Sequence, residues 1–576
     1  MWLAIVMLAL ALTQTCALAA DRVEITIIGI DGEIHENARA SLSLNQQQHR
    51  EGLTEARIRR LHEKAPEQIR LAMQPFGYYR PQIISSLKPV GAEQWQAEYK
   101  IDPGLPLLIT RLDYALSGAA ADDAEFLSGI SSALLHEGAI LDHRRYEQLK
   151  SVLVRQAAEL GYFAARLTEH KITIDMQNYQ STVLLHFDSG PRYRFGRVNF
   201  NQDTLDPALL SRYTPFQPHD PYSLMQVIEL QQALNDSDYF NAVEVTPDLK
   251  NLADIDVPID VQLYPRKRNK YIFGIGYGTD TGARAKLGWE MPRVNRSGHR
   301  LETAYKISHI GDSITGTYRI PTGNPVTDQF ILSISNSSEQ TTTSDSSKNI
   351  IGASLAHGRG RWREVLSVNY QQEQFTVGND EGQSSLLMPG INWTRVWGAN
   401  RIEIRRGARL LIDVRGASDA VLSDTSFIQG RIYAKTILPI FEQSRLIVRG
   451  SAGTSYTPQF AELPASVRFF TGGSQTVRGY RYNALAPQDS AGQPIGGRHL
   501  LVGSVEYEQR LDTDWWAAIF HDTGNALDDF NGALNDGAGI GLRWRSPVGP
   551  IRFDLAWALS EPGTPWRFHI DIGPDL

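Results

Sequence analysis

Hydrophobic and polar positions follow different patterns in the two parts of the chain. Up to about residue 265, apolar residues recur at spacings of three and four between short alternating stretches, as in helices that pack on small sheets. From there to residue 576, short segments alternate apolar and polar residues, turn-forming clusters separate them, and no convincing amphipathic helix is present. The pattern predicts an α+β region followed by an all-β region.

The first part contains a weak internal repeat, in which a triplet of Gly, Tyr and an aromatic residue recurs. Each repeat reads as strand, helix, helix, strand, strand, which indicates tandem small domains at residues 20–103, 104–188 and 189–265. We expect the apolar stripes of the helices to form the cores, and an edge strand of each sheet to be open to an added strand. The triplets are Gly77-Tyr78-Tyr79, Gly161-Tyr162-Phe163 and, more loosely, Asp238-Tyr239-Phe240; the stripes are Tyr146, Leu149, Leu153, Ala157 and Leu160 in the second unit, and Leu224, Val227, Leu230 and Leu234 in the third.

The all-β region, residues 266–576, has the alternation typical of a transmembrane barrel. In its last segment Trp566, Phe568 and Ile570 alternate with polar residues, as in a strand that faces lipid on one side and water on the other. At roughly 18–22 residues per strand with its connection, the region has room for about 14–17 strands, and because such barrels have even numbers we predict sixteen. A soluble multidomain periplasmic β-protein is the alternative.

The N-terminal segment predicts export. An apolar run from Leu3 to Leu12 precedes small residues that end at Ala19, which is the pattern of a signal peptide at residues 1–19. Cys16 is the only cysteine, so a lipid anchor at that residue is the alternative, and the remainder of the chain has no disulfide framework. The net charge of −7 argues against a nucleic-acid partner.

Three separate segments of the all-β region carry the candidate chemistry. The stretch TGGSQTVRGYRYN contains Val477-Arg478-Gly479-Tyr480, an arginine among glycines that allow sharp turns. The segment GSVEYEQ contains Glu506, and the segment IFHDTGNA contains Asp522 and Gly524. Each segment alone is weak evidence, because a tetrapeptide such as Val-Arg-Gly-Tyr occurs by chance, but the three together form a specific combination.

These features resemble the BamA/TamA/two-partner-secretion superfamily of Gram-negative outer-membrane proteins, over almost the whole chain beyond residue 19. The tandem units resemble its POTRA domains, and the all-β region resembles its sixteen-stranded barrel. The three segments resemble its Val-Arg-Gly-Phe/Tyr loop, its inward-facing glutamate and its Phe-x-Asp-x-Gly pattern. The resemblance implies that Arg478 lies on a loop folded into the barrel and binds Glu506 and Asp522 on adjacent strands, because a guanidinium can bind two carboxylate oxygens at once.

Within the superfamily the chain resembles the TamA type. It has three POTRA-like units, opening barrel strands YIFGIGYGTDTGARAKLGWE, and a terminal Gly573-Pro574-Asp575-Leu576. The resemblance implies a non-enzymatic outer-membrane protein, without cofactor or metal, whose POTRA units lie in the periplasm. The implied partners are a TamB-like inner-membrane protein, unfolded outer-membrane protein clients such as autotransporters, and outer-membrane lipid. A two-partner-type secretion pore, or a role mainly in lipid transport to the outer membrane, is the alternative.

The first and last strands of the barrel predict a weak lateral seam, at which a nascent strand could pair. Glycines reduce the side-chain packing of the first strand. Pro574 ends pairing at the other side because proline has no N–H to donate. The residues of this candidate seam are Tyr271, Gly274, Gly276, Gly278, Trp566, Phe568, Ile570 and Gly573.

An aspartic protease is the competing interpretation from a different class. The triplet Asp-Thr-Gly begins at Asp280 and again at Asp522, and two such triplets supply the catalytic carboxylates of those enzymes. The flanking residues argue against it, because Ala283 and Asn525 stand where Ser or Thr follows the triplet in those enzymes. We therefore expect no catalytic site.

Overall fold

The structure, a computed structural model, describes residues 23–48, 50, 53–91, 94–250, 254–398, 406–546 and 549–572. The predicted signal peptide and Gly573 lie outside these residues. Among the helices that are described, none is long and apolar enough to cross a membrane.

The first α/β unit packs helices on one face of a three-stranded sheet. The last strand in sequence lies in the centre of the sheet, parallel to the first strand and antiparallel to the second. Ile58, Ala65 and Ile69 on the longest helix are buried in the core. The predicted strand and helix order is present, with one additional short helix. The elements are β1 (Val23–Ile28), α1 (Gly32–Ser41), α2 (Ser43–Gln47), α3 (Glu55–Met73), β2 (Gln82–Pro89) and β3 (Trp95–Asp102).

The second and third units repeat this arrangement, again with the last strand in the centre of the sheet. The predicted stripe of the second unit is buried throughout, and in the third unit Val227, Leu230 and Leu234 are buried while Leu224 is half-buried. The elements of the second unit are β4 (Ile109–Ser117), α4 (Ala124–Ile130), α5 (His143–Glu159), β5 (Arg166–Asp175) and β6 (Gln180–Asp188). Those of the third are β7 (Arg194–Asn201), α6 (Pro207–Ser211), α7 (Leu224–Asp236), β8 (Phe240–Pro247) and β9 (Asp256–Pro265).

The repeated triplets lie at the joints between successive units. Their first residues, Gly77, Gly161 and Asp238, all have positive φ, at 90°, 81° and 60°. Two of them accept a hydrogen bond from the start of the next unit. The carbonyl oxygen of Gly77 accepts from the N–H of Leu107 at 2.8 Å, and the carbonyl oxygen of Gly161 accepts from the N–H of Tyr193 at 2.9 Å. The repeat in the sequence is therefore a repeated turn with the same backbone requirement.

The rest of the described chain forms a closed antiparallel barrel of sixteen strands in sequence order, which confirms the predicted fold. Residues alternate between the interior and the outer face, so that on one strand Ser504 and Glu506 are buried in the interior whereas Val505 is exposed. The strands are β10 (Lys270–Gly278), β11 (Gly282–Met291), β12 (Arg300–Ser308), β13 (Gly311–Pro321), β14 (Gln329–Gln340), β15 (Ser344–Arg359), β16 (Trp362–Val377), β17 (Asp380–Trp397), β18 (Gly407–Ala417), β19 (Phe427–Phe441), β20 (Ser444–Tyr456), β21 (His499–Arg510), β22 (Trp515–Leu527), β23 (Asn535–Ser546), β24 (Gly549–Ala558) and β25 (Trp566–Ile572).

Candidate functional site

The connection between β20 and β21, residues 457–498, folds into the barrel interior, and we call it the lumen loop. Its backbone N–H at Ser466 donates to Glu373 on β16 at 3.2 Å, and its carbonyl at Val467 accepts from Gln429 on β19 at 2.7 Å. The buried guanidinium of Arg468 holds the loop to itself by donating to three of its backbone carbonyls. The loop therefore has a defined path inside the barrel.

Arg478 on the lumen loop is 2% exposed and binds two strands of the wall at once. Its Nε and Nη2 donate to the two carboxylate oxygens of Asp522 on β22 at 2.7 and 2.9 Å. Its Nη1 donates to Oε2 of Glu506 on β21 at 2.7 Å, and its guanidinium carbon lies 3.4 Å from the centre of the Phe520 ring. The structure thus brings together the three residues on which the sequence prediction rests, in the bidentate geometry that guanidinium and carboxylate groups favour.

Further charged residues of the wall surround this contact. Arg543 on β23 binds Glu506 at 2.7 Å and Asp554 on β24 at 2.6 Å, and Arg445 on β20 binds Glu508. Four arginines thereby meet four carboxylates, so the formal charges cancel, which is the condition under which buried charges are tolerated. We call this set the charge network: Arg445, Arg449, Arg478, Glu506, Glu508, Asp522, Arg543 and Asp554.

The neighbours of Arg478 are also buried against the wall. Val477 is fully buried, and the hydroxyl of Tyr480 donates to the carbonyl of Asp536 at 3.1 Å. Gly479 has a φ of 97°, and a Cβ there would lie 2.9 Å from the amide nitrogen of Ala558, so a larger residue would move the loop. Gly524 lies two residues after Asp522, where a Cβ would come within 2.7 Å of a backbone oxygen.

Glycines at alternate positions of β23 make room for the loop and the charge network. A Cβ on Gly537 would lie 2.1 Å from the carbonyl oxygen of Arg478. A Cβ on Gly541 would lie 2.2 Å from Oδ1 of Asp554. The backbone of the lumen loop therefore rests directly on the backbone of this strand.

The lumen loop also contacts the place where the barrel closes. The N–H of Ser474 donates at 2.6 Å to Asp280, in the turn between β10 and β11. The Ser474 hydroxyl and the Gln475 side-chain amide donate to Oδ2 of Asp571 on β25, at 2.9 and 2.6 Å. One loop therefore bonds the charge network, the turn that follows β10, and β25.

The first and last strands are staggered at this closure. In the described part of the chain Gly278 opposite Asp571 is the only pair between β10 and β25, whereas β15 and β16 pair along their whole length. The N–H of Thr279 adds a bond to the carbonyl of Ile570 at 3.2 Å. On the side away from β11, residues 270–277 face no other strand among the described residues.

The predicted seam residues take different places in this closure. Tyr271, Gly274 and Gly276 lie on the edge of β10 that no described strand covers, whereas Gly278 lies at the closure itself. Trp566 and Phe568 pair with β24, and Gly573 lies outside the described residues. Among the described residues, the two halves of the predicted seam therefore face each other only at Gly278 and Asp571.

The two Asp-Thr-Gly triplets bind different partners. Asp522 accepts hydrogen bonds from Arg478 and Ser504, and Asp280 accepts from the N–H of Ser474. A protease dyad requires two carboxylates that share a proton. In the described residues, moreover, no group of three or more His, Cys, Asp and Glu side chains is arranged to hold a metal ion.

Sequence reasoning missed five members of the charge network. The alternation of strands could have found some of them, because Glu508 lies two residues after Glu506 and therefore on the same face. Arg543 likewise continues the alternate positions occupied by the interior glycines of β23. The missed residues are Arg445, Arg449, Glu508, Arg543 and Asp554.

An antiparallel barrel with an apolar outer face, a tethered interior loop and preceding α/β units defines a class of outer-membrane β-barrel proteins. The chain matches the Omp85 superfamily domain over residues 273–575, more than half of its length. It also matches the POTRA domain TamA domain 1 over residues 24–103, and the POTRA family described as surface antigen variable number repeat over residues 193–264. The chain belongs to the Omp85 superfamily, and its POTRA domains lie on the periplasmic side of an outer-membrane barrel.

Curated relatives match only part of the chain. The outer membrane protein assembly factor BamA of Nitratidesulfovibrio vulgaris is 33% identical over 108 residues, which are 17% of this chain and 14% of the relative. BamA of Neorickettsia risticii is 30% identical over 155 residues, 24% of this chain and 20% of the relative. The chain thus spans about a fifth or less of the length of these two relatives.

A solved structure extends the likeness of the fold. BamA from Haemophilus ducreyi lacking POTRA domains 1–3 has a TM-score of 0.66 and 15% sequence identity, and the alignment covers 81% of this chain and 99% of that one. At this identity the likeness concerns the fold alone.

Proposed function

We propose that the protein is a non-enzymatic insertase that assists the insertion and folding of outer-membrane proteins, such as autotransporters. The observation that carries the proposal is the edge of β10 that pairs with no other strand among the described residues, beside the pair at Gly278 and Asp571. An open edge presents unpaired N–H and C=O groups, which an incoming strand can bond. The outer face of the same strand exposes Phe273 and Ile275, which suits contact with lipid.

Backbone pairing supplies the driving force in this proposal. An unpaired N–H or C=O group costs several kcal/mol in the hydrocarbon core, where no water can replace its partner. A client strand that pairs with β10 therefore loses that cost as it enters the membrane. Neither a nucleophile nor a nucleotide is required for such a step.

The residues that hold the lumen loop form a lock in this proposal. With the loop fixed by Arg478 at the charge network, Ser474 and Gln475 reach Asp571 on the last strand. The lock thereby keeps the seam narrow without a long ladder of strand pairs. Its members are Val477, Arg478, Gly479, Tyr480, Glu506, Asp522 and Gly524.

A disulfide across the closure tests the proposal. Gly278→Cys and Asp571→Cys would place two thiols directly opposite each other, because a Cβ on Gly278 would lie 3.6 Å from Oδ1 of Asp571. With Cys16 replaced by Ser, we expect the oxidised protein in liposomes to lose the ability to insert a urea-unfolded autotransporter barrel. Reduction with dithiothreitol should restore that ability.

A second disulfide serves as the matched control. Gly450→Cys and Gly503→Cys lie directly opposite each other on β20 and β21, and a Cβ fits at both positions. The oxidised control should insert the client normally. Full activity of the oxidised Gly278–Asp571 pair would overturn the proposed role of the seam, and a protein that accepts no unfolded barrel would favour a dedicated secretion pore.

The proposal includes a TamB-like inner-membrane partner, and the match of residues 24–103 to the TamA-type POTRA domain supports it. A pull-down from membranes with the full chain, followed by detection of the TamB-like protein, tests this part. We expect the chain that lacks residues 24–103 to lose the partner while it still inserts into the outer membrane. Equal recovery with both chains would contradict a role of the first POTRA domain.

A further inference from the structure

A row of three cations crosses the lumen wall and ends at Arg449 of the charge network. Arg409 on β18 lies directly opposite Lys435 on β19, and Lys435 lies directly opposite Arg449 on β20. Like charges that face each other across neighbouring strands repel and destabilise a sheet. Arg449 is already balanced within the charge network, so the row adds the positive charges of Arg409 and Lys435 to the lumen beside it.

Several hydrogen-bond donors of the row have no acceptor within the described residues. Nε of Arg409, and Nε and Nη2 of Arg449, are buried without a hydrogen-bond partner. The Asp522 carboxylate lies close to Arg449, at 3.6 Å from Nη2 to Oδ1, but that oxygen already accepts from Arg478 and Ser504. Because buried donors without acceptors cost free energy, these groups are suited to a ligand with several acceptor oxygens.

The row lines a cavity of about 450 Å³ in the lumen. The two carboxylates at its border, Asp280 and Asp571, accept hydrogen bonds from the lumen loop. Five cationic and two acidic side chains line the cavity, so cations outnumber carboxylates on its wall. The cations are Arg284, Arg409, Lys435, Arg449 and Arg552.

We propose that this cavity binds a phosphate group. Guanidinium groups bind phosphate oxygens in pairs, and a lysine ammonium adds a point charge, so the row matches this chemistry. The phosphate can belong to a free anion or to a lipid headgroup, because Gly278, Asp571 and Ile572 at the closure also line the cavity. The cavity adjoins the closure, but none of residues 270–277, the edge of β10 on which the proposed insertase activity rests, lines it.

Titration calorimetry of the full chain in a neutral detergent tests the proposal. One arm uses inorganic pyrophosphate, and the other uses dihexanoyl phosphatidylglycerol, both at constant ionic strength with chloride as the reference anion. We expect Arg409→Gln and Lys435→Gln to weaken the binding at least tenfold. Binding of both probes indicates that a free phosphate suffices, whereas binding of the lipid alone identifies the headgroup as the source.

Lys306→Gln is the matched control. Lys306 on β12 faces the lumen directly opposite Lys286 on β11, and it does not line this cavity. Its replacement by Gln removes the same single positive charge as Lys435→Gln does. Its variant should bind the probes as the unaltered protein does. Heat-modifiability on electrophoresis verifies that each variant has folded, and relief of like-charge repulsion should leave folding intact. Equal affinity in all variants, or no binding of either probe, would overturn the proposal.

Discussion

Two regions of the barrel are held together by different kinds of contact. They are the wall from β20 to β24 and the closure between β10 and β25. The wall combines long strand ladders with a buried set of eight charged residues. Within the part of the chain that the structure describes, the closure has one ladder pair, a few bonds at its ends, and an edge of β10 that no strand covers. Among the described residues, the bonds that hold the barrel are therefore concentrated in the wall, away from the closure.

The lumen loop joins the two regions. Arg478 donates hydrogen bonds to the wall. Ser474 lies a short way earlier in the chain and donates hydrogen bonds to both Asp280 and Asp571 at the closure. A change at the wall should therefore alter the closure, whereas a change at the closure should leave the wall intact. The variants below test this asymmetry.

We expect the largest effect from Arg478→Ala. The change leaves the buried carboxylates of Asp522 and Glu506 without their strongest partner, which costs about 3–5 kcal/mol in a dry site and less in a wet lumen. The loop should become sensitive to protease and the assembly activity should fall, while the barrel still inserts into the membrane. Limited proteolysis of residues 457–498 and complementation of a deletion strain measure these effects.

Arg481→Ala is the matched control for that variant, since Arg481 lies on the same loop but is exposed. It should leave both the protease sensitivity and the activity unchanged. In a double-mutant cycle, Arg478→Ala with Asp522→Ala should cost less than the sum of the single changes, because they remove partners of one contact. Strict additivity would contradict the proposed lock, and so would normal loop protection in Arg478→Ala.

Gly537→Ala should have the next largest effect, although it removes no charge. Its Cβ would lie 2.1 Å from the carbonyl oxygen of Arg478, so the loop has to move away from β23, and overpacking of this kind costs about 1–3 kcal/mol. Gly503→Ala, where the nearest atom lies at 3.5 Å, is the control. Hydrogen exchange of the lumen loop should rise in the first variant alone; equal exchange in both would show that the loop does not depend on this contact.

Asp571→Ala should affect the closure while the wall is preserved. The variant loses the bonds from Ser474 and Gln475, each worth about 1.5–3 kcal/mol when buried and less at this partly exposed site. Ser474→Ala removes one of these side-chain bonds and should give a smaller change in the same direction. Exchange at β25 measures both, and an equal rise at β21 and β22 would contradict the asymmetry.

The sequence predicted the fold well because its signals are local. Alternation in β10 and β25 and the helical stripe from Tyr146 to Leu160 each report one element and one buried face. The contacts among Arg478, Glu506 and Asp522 could be anticipated only from the resemblance to a family, since they join distant segments.

The rest of the charge network and the row of three cations both depend on strand register, which no single segment reveals. Arg543 meets Glu506 because β21 and β23 both pair with β22, and Arg409 meets Lys435 because of one particular alignment of β18 with β19. A shift of one residue would turn each side chain to the other face of the wall. The stagger at Gly278 and Asp571 is hidden for the same reason.

The smallest effect should come from Thr279→Val, which removes the acceptor that the Thr279 hydroxyl offers to the N–H of Ile570 at 3.3 Å. The site is exposed, so the loss should be below about 1 kcal/mol. Thr436→Val removes a comparable hydroxyl bond on β19, away from the closure, and is the control. If the closure limits client entry, Thr279→Val should raise exchange at Ile570 and slightly accelerate insertion of an unfolded barrel. Faster exchange without faster insertion would separate the loose closure from the rate of client entry.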